Sequence, residues 1–217
     1  MLFVVPDLLG VNEVEGLRSR LETVPLVEGK STAGWHAKTV KQNQQLDAKV
    51  AKPLGEEVRS QILKNPLFQV AARPKQITAI RFNRYSDGMF YGRHTDNALM
   101  NGVRTDLSFT LFLSDPDSYE GGDLVVEGAD SEQCYKLAAG SMLVYPSTSL
   151  HRVEPVTGGV RWAAIGWMQS QIRDAQKREI LFELDTARRS LFQQHGKTDE
   201  FDLVSKSLTN LLRMWVE

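Results

Sequence analysis

Residues 91–97 read Tyr-Gly-Arg-His-Thr-Asp-Asn, and His94 and Asp96 stand two apart. On an extended strand that spacing turns an imidazole and a carboxylate to one face. From there both can bind one metal ion. A third ligand is needed, and His151, in Ser149-Leu150-His151-Arg152-Val153, is the natural candidate. Two histidines and one carboxylate with open positions suit non-haem Fe(II) in an oxygenase. Zinc takes similar ligands, so the set alone leaves the metal open. A lone H-x-D is weak, because surface and hydrogen-bonded His–Asp pairs are common. Its context adds weight: a strand–turn–strand pattern precedes it and the second histidine follows several strands later. Arg161 lies ten residues after His151 among Val160, Trp162, Ala163, Ala164 and Ile165. Turned inward, a cation there needs a partner, and its fork matches a carboxylate. At a strand edge it would face water. Beside the triad, the carboxylate reading is favoured.

A β scaffold must hold these residues. From about residue 76 the sequence gives KQITAIRFNRY, the turn Ser86-Asp87-Gly88, MFYGRH, DLSFTLFL, and DLVVEG after Gly121-Gly122. CYKLAAGSMLVYP, LHRVEPV and, after Gly158-Gly159, GVRWAAIGWM complete the series. Short strands with regular turn signals and no intervening helices predict a mainly β fold, a jelly roll. Helices flank it. Asn12 and Glu15 suggest a capping box ahead of Val14, Leu17 and Leu21. A second stripe runs Leu46, Val50, Leu54, Val58, Ile62; Pro53 should bend or divide it, and Asn65-Pro66 should end it. In the tail, Ile180, Leu184, Ala187 and Leu191 share a face; Gly196 is a stop and Thr198 a start. Val204, Leu208, Leu211, Leu212 and Trp215 form the last stripe. The expected division is a jelly-roll domain with its N-terminal helices over 1–170, and a C-terminal helical extension over 171–217. That extension packs on the core or forms a dimer surface, leaving a homo-oligomer open.

The bulk numbers exclude several classes. The 217 residues carry 26 Lys+Arg and 27 Asp+Glu, a net charge of −1, and a single cysteine. This argues against a nucleic-acid partner gripped by charge and against a disulfide framework or sulfur-ligated metal. Cys134 reads as a small core residue. No apolar run approaches the ~20 residues that span a bilayer. MLFVVPDLLG lacks a basic flank and reads as mature structure. The default location is cytoplasmic, with no membrane partner. His36 lies in a polar stretch that reads as a solvated loop or a lid, and His195 sits at a helix end; neither is assigned chemistry.

Tyr85, Tyr91, His94-Thr95-Asp96, Gly121-Gly122-Asp123-Leu124, His151 and Arg161 together resemble the Fe(II)- and 2-oxoglutarate-dependent dioxygenases. More closely, the chain resembles the bacterial PKHD-type hydroxylases, relatives of the prolyl 4-hydroxylase catalytic domain. The likeness extends to Thr32-Ala33-Gly34, Val40-Lys41-Gln42-Asn43 and Gln169-Ser170 with Arg173-Asp174. It implies a double-stranded β-helix fold in which His94, Asp96 and His151 hold Fe(II). Arg161 and Tyr85 would then bind 2-oxoglutarate, with Trp167 lining the pocket; Asn97, which flanks the iron motif, is a further candidate for the pocket lining. Many prolyl-hydroxylase relatives place Lys where Arg161 stands, so pocket detail differs. The implied reaction consumes dioxygen and hydroxylates a small-molecule or peptidyl substrate, releasing succinate and CO2, with ascorbate (vitamin C) as external reductant. Two alternatives stand beside it. One is a cupin-like metal enzyme without 2-oxoglutarate, which expects Arg161 at the solvent. The other is a non-enzymatic iron or 2-oxoglutarate sensor.

Overall fold

The computed structural model describes residues 1–35 and 37–217. In chain order the strands are β1 (Phe3–Val5), β2 (Leu26–Glu28), β3 (Lys41–Gln42), β4 (Gln44–Leu46), β5 (Pro74–Ile77), β6 (Arg81–Tyr85), β7 (Phe90–His94), β8 (Leu99–Met100) and β9 (Val103–Arg104). They continue as β10 (Leu107–Phe112), β11 (Tyr119–Gly121), β12 (Leu124–Glu127), β13 (Glu132–Tyr135), β14 (Met142–Pro146), β15 (His151–Val153), β16 (Val156–Gly159) and β17 (Arg161–Ser170). Helices α1 (Val11–Leu21), α2 (Ala48–Lys64) and α3 (Pro66–Ala72) precede the main strands, and α4 (Ala175–His195) and α5 (Asp199–Trp215) follow them.

The strands form a jelly roll. The larger sheet runs β1-β14-β10-β17-β6-β4-β2, with β5 also on β17, and the smaller runs β13-β12-β15-β7-β3. Every pairing in both is antiparallel. The larger sheet is covered on both faces, which is why β10 is buried at every position. Its outer face (Phe82, Phe109, Leu111, Trp162, Met168) packs on Val14, Leu17 and Leu21 of α1 and on Leu54, Val58 and Ile62 of α2. Its inner face meets the smaller sheet through Tyr85, Phe112, Leu143, Tyr145, Leu124 and Val153. Alternation along each strand sorts the two sets. On β6, Phe82 turns out to the helices, while Arg81, Asn83 and Tyr85 line the interior.

Several local expectations need correction. Helix α1 is capped two residues earlier than Asn12 and Glu15 suggest, at Gly10, whose N–H donates to Glu13 Oε2 at 2.8 Å. Asp47 caps α2, accepting from Lys49 N at 2.9 Å, so Leu46 belongs to β4, Val50 is exposed, and Ala51 takes the buried place. Pro53 does not divide this helix, because so near the N-terminus it removes a bond only from an exposed turn. The buried face of α4 is Arg178, Leu181 and Asp185, with Ile180 exposed. Arg178 bonds the Ile172 and Arg173 carbonyls at 2.7 and 2.9 Å, which rotates the helix away from the purely apolar stripe. Cys134 is exposed rather than in the core, since β13 is an edge strand. Among the described residues, no helix is long and apolar enough to cross a membrane. His36 lies outside the described residues.

Candidate active site

The three predicted ligands meet inside the jelly roll. His94 ends β7 and His151 begins β15, and the two are directly opposite in the ladder. Asp96 follows in the loop after β7. One ligand atom from each lies within 4.8 Å of the others. The His94 Nδ1 donates to the Gly92 carbonyl at 2.8 Å, and the His151 Nδ1 to the Ser149 carbonyl at 3.1 Å. A carbonyl only accepts, so each Nδ1 carries the proton and each Nε2 keeps its lone pair. Burial, with His151 alongside, holds the His94 imidazole down at about 4, neutral as a ligand must be. Asp96 Oδ2 accepts from Ser108 Oγ at 2.6 Å, and Ser108 Oγ lies 2.8 Å from Ser147 Oγ. Tyr91 stacks on His94 at 3.7 Å, and Tyr145 meets His151 edge-on at 5.1 Å. Two free imidazole nitrogens and a hydrogen-bonded carboxylate fit a divalent cation.

Deeper in, β6 and β17 pair so that Tyr85 lies opposite Arg161. Arg161 is 2% exposed, and its guanidinium carbon sits 5.3 Å from the Tyr85 ring and 5.4 Å from the Phe112 ring. Among the described residues its Nε and Nη2 are buried with no hydrogen-bond partner. Those two nitrogens form one edge of the fork, the edge with which Arg93 clasps Glu127 at 2.5 and 2.7 Å. An unpaired buried edge beside the ligand set fits a carboxylate. Burial pushes the Tyr85 phenol up to about 12, so it stays protonated. Gly122 makes room: at φ +69, a Cβ there would lie 3.0 Å from Arg161 Cδ and 2.8 Å from Val156 Cγ2.

The outer part of the cavity holds residues to which the sequence reading gave no role. Lys41, on β3 opposite Tyr91, is 3% exposed. Its Nζ donates to Thr32 Oγ1 at 3.2 Å and sits 4.8 Å over the Tyr91 ring. Burial, and next the charge of Arg81, lower it to about 8. Arg81 donates to the Thr32 carbonyl at 3.2 Å and lies 5.5 Å over Trp167. Alternation back from Tyr85 through Asn83 is the signal that could have found Arg81; Lys41 stands in a segment without period. Trp167 is buried and lines the cavity, as does the exposed Asn97.

The 2OG-Fe(II) oxygenase superfamily model matches residues 80–169, and that of the PKHD-type hydroxylase C-terminal domain matches 174–217. A PKHD-type hydroxylase of Picosynechococcus sp. is 59% identical over 219 residues, covering 100% of both chains. One from Gloeothece citriformis is 57% identical over 220 residues, again covering 100% of both. Among solved structures, a Pseudomonas putida prolyl-4-hydroxylase shares 22% identity at a TM-score of 0.55, over 78% of this chain and 92% of that one. HygX from Streptomyces hygroscopicus, with nickel, 2-oxoglutarate and hygromycin B bound, shares 17% at 0.58, over 79% and 84%. These structures share the fold. Given full-length similarity to named hydroxylases, this chain belongs to the PKHD-type hydroxylase family and is an oxygenase enzyme.

Proposed function

We propose that His94, Asp96 and His151 hold Fe(II), that Arg161 and Tyr85 hold the distal carboxylate of 2-oxoglutarate, and that the enzyme hydroxylates an organic substrate. The observation that carries this is the unpartnered, buried edge of Arg161 in the cavity of the His94–Asp96–His151 cluster. When bound, iron and 2-oxoglutarate supply C–H oxidation by dioxygen, one oxygen atom leaving in succinate and the other in the alcohol, with release of CO2. The chain's own part is orientation and exclusion. The Gly92 and Ser149 carbonyls fix both imidazole tautomers, and Ser108 anchors Asp96. Arg161 and Tyr85 clasp the cosubstrate tail, and the walls of Leu124 and Val153 keep water out. Trp167 and Asn97 border the substrate space. Ascorbate serves as external reductant in this reading, and the setting is cytoplasmic. Among the described residues, those that line the cavity all lie between Thr32 and Trp167, which supports residues 1–170 as the reacting domain and 171–217 as an extension.

The cupin-like alternative expects Arg161 at the solvent, and the buried guanidinium counts against it. The test is anaerobic addition of 2-oxoglutarate to the Fe(II) protein. A metal-to-ligand absorption band should appear, vanish in Asp96→Ala and weaken at least tenfold in apparent affinity in Arg161→Met. A band indifferent to Arg161 would overturn the cosubstrate assignment.

A further inference from the structure

Lys41, which is buried, and Arg81, which is half-buried, are cations that neither the iron site nor the cosubstrate site uses. Their hydrogen bonds go to neutral oxygens of one residue, Thr32, from opposite sheets: Lys41 from β3 and Arg81 from β6. Asp96 is near enough for its charge to favour the Lys41 ammonium. Among the described residues that line the cavity, three are cations (Lys41, Arg81 and Arg161) and one is a carboxylate, Asp96. Fe(II) brings two positive charges and 2-oxoglutarate two negative ones, so loading the site cancels. Two cations remain uncompensated. A buried charge without a counter-ion is costly, and at Lys41 an apolar or neutral side chain would fill the position more cheaply. The pair is also built for contact. Lys41 is fixed over Tyr91, one ring away from His94, and Arg81 sits over the Trp167 ring.

We infer that Lys41 and Arg81 form an anion subsite at the cavity mouth, and that the substrate is an organic anion whose carboxylate or phosphate group docks there. This rests on the function proposed above and names the substrate class for the same site. The substrate's charged end sits between the two cations against Trp167, and its reacting carbon extends inward toward the His94–Asp96–His151 cluster.

The test titrates inorganic phosphate and, separately, acetate into the anaerobic Fe(II)- and 2-oxoglutarate-loaded protein, followed by calorimetry. At least one anion should bind, and the better one identifies the group. Lys41→Met and Arg81→Gln should each weaken that binding tenfold or more while the absorption band of the cosubstrate complex is unchanged. Asp96→Ala, which removes the metal, should retain anion binding, placing the anion off the iron. Failure of both anions to bind the wild type overturns the subsite. So does equal binding in wild type and variants, or loss of the band in Lys41→Met, which would assign that cation to the cosubstrate. If the wild type gives no band, the cosubstrate reading fails by itself, and the same titrations still decide the subsite.

Discussion

Lys41 has a thermodynamic signature separate from any ligand. Burial lowers its pKa from the ordinary lysine value to about 8. At pH values between the two, the unfolded chain binds a proton that the folded chain has lost, so stability rises as pH climbs from about 8 to about 10.5. Below that window the folded protein carries the full cost of the buried charge, of the order of 3 kcal/mol. Lys41→Met should therefore be the more stable protein at pH 7, with the advantage fading by pH 10.5; thermal unfolding of both across that range checks it. Ser108 gives a second residue-scale prediction. Ser108→Ala leaves Asp96 Oδ2 without its 2.6 Å donor, and Fe(II) affinity should fall ten- to a hundredfold with little change in Tm. Equilibrium dialysis of Fe(II) would expose an unchanged affinity. The contrast between these residues explains what the sequence makes legible. His94 and Asp96 could be found because a period of two is enough to put them on one face. Lys41 could not, because its strand is only two residues long and follows the 3-10 turns Gly29–Thr32 and Ala37–Val40, a stretch too short and irregular to carry a period.

Elements were legible where their periodicity is imposed by one kind of neighbour. The β10 and β17 runs, buried on both faces, and the α5 stripe about Leu208 follow directly from apolar pattern. Helix α4 broke the rule because its buried face includes Arg178 and Asp185, whose partners are carbonyls and the Arg188 and Arg189 side chains. Apolar counting gives no weight to such residues. The turn between β11 and β12 shapes the space around the Arg161 side chain. Gly122→Ala would put a Cβ against Val156, Arg161 and Tyr119 in a left-handed backbone, costing about 1–3 kcal/mol. The displaced guanidinium should also raise the 2-oxoglutarate concentration needed for half-maximal succinate release.

At the scale of the whole molecule, the tail is tied to the jelly roll at its two ends. Ile172 joins Leu181 and Leu208 in a small core of their own. At the far end, Glu217 N donates to the Gln171 carbonyl at 2.9 Å, while Arg104 and Lys75 reach Glu217 at 3.2 and 2.8 Å. Removing residues 199–217 should lower Tm and expose Leu181 to a hydrophobic dye, while leaving the absorption band with 2-oxoglutarate intact in the folded fraction. Loss of the band in folded protein would instead give the tail a part in the site. The two-layer architecture and the helical ends were legible from turn spacing. The charge balance of the cavity was not, because it depends on which of 26 cations and 27 anions the fold turns inward.

One ladder carries both guanidinium groups of the cavity. Arg161 pairs with Tyr85, and Arg81 pairs with Ile165, so the two arginines mark positions four residues apart along β6 and β17. At ordinary strand rise this is roughly 13 Å, and a hydrogen-bonded sheet cannot stretch it. The ladder is a ruler. In a homologous series of anions, affinity will follow the charged end, but turnover will peak at a single chain length, where the reacting carbon comes into register with the oxidising centre.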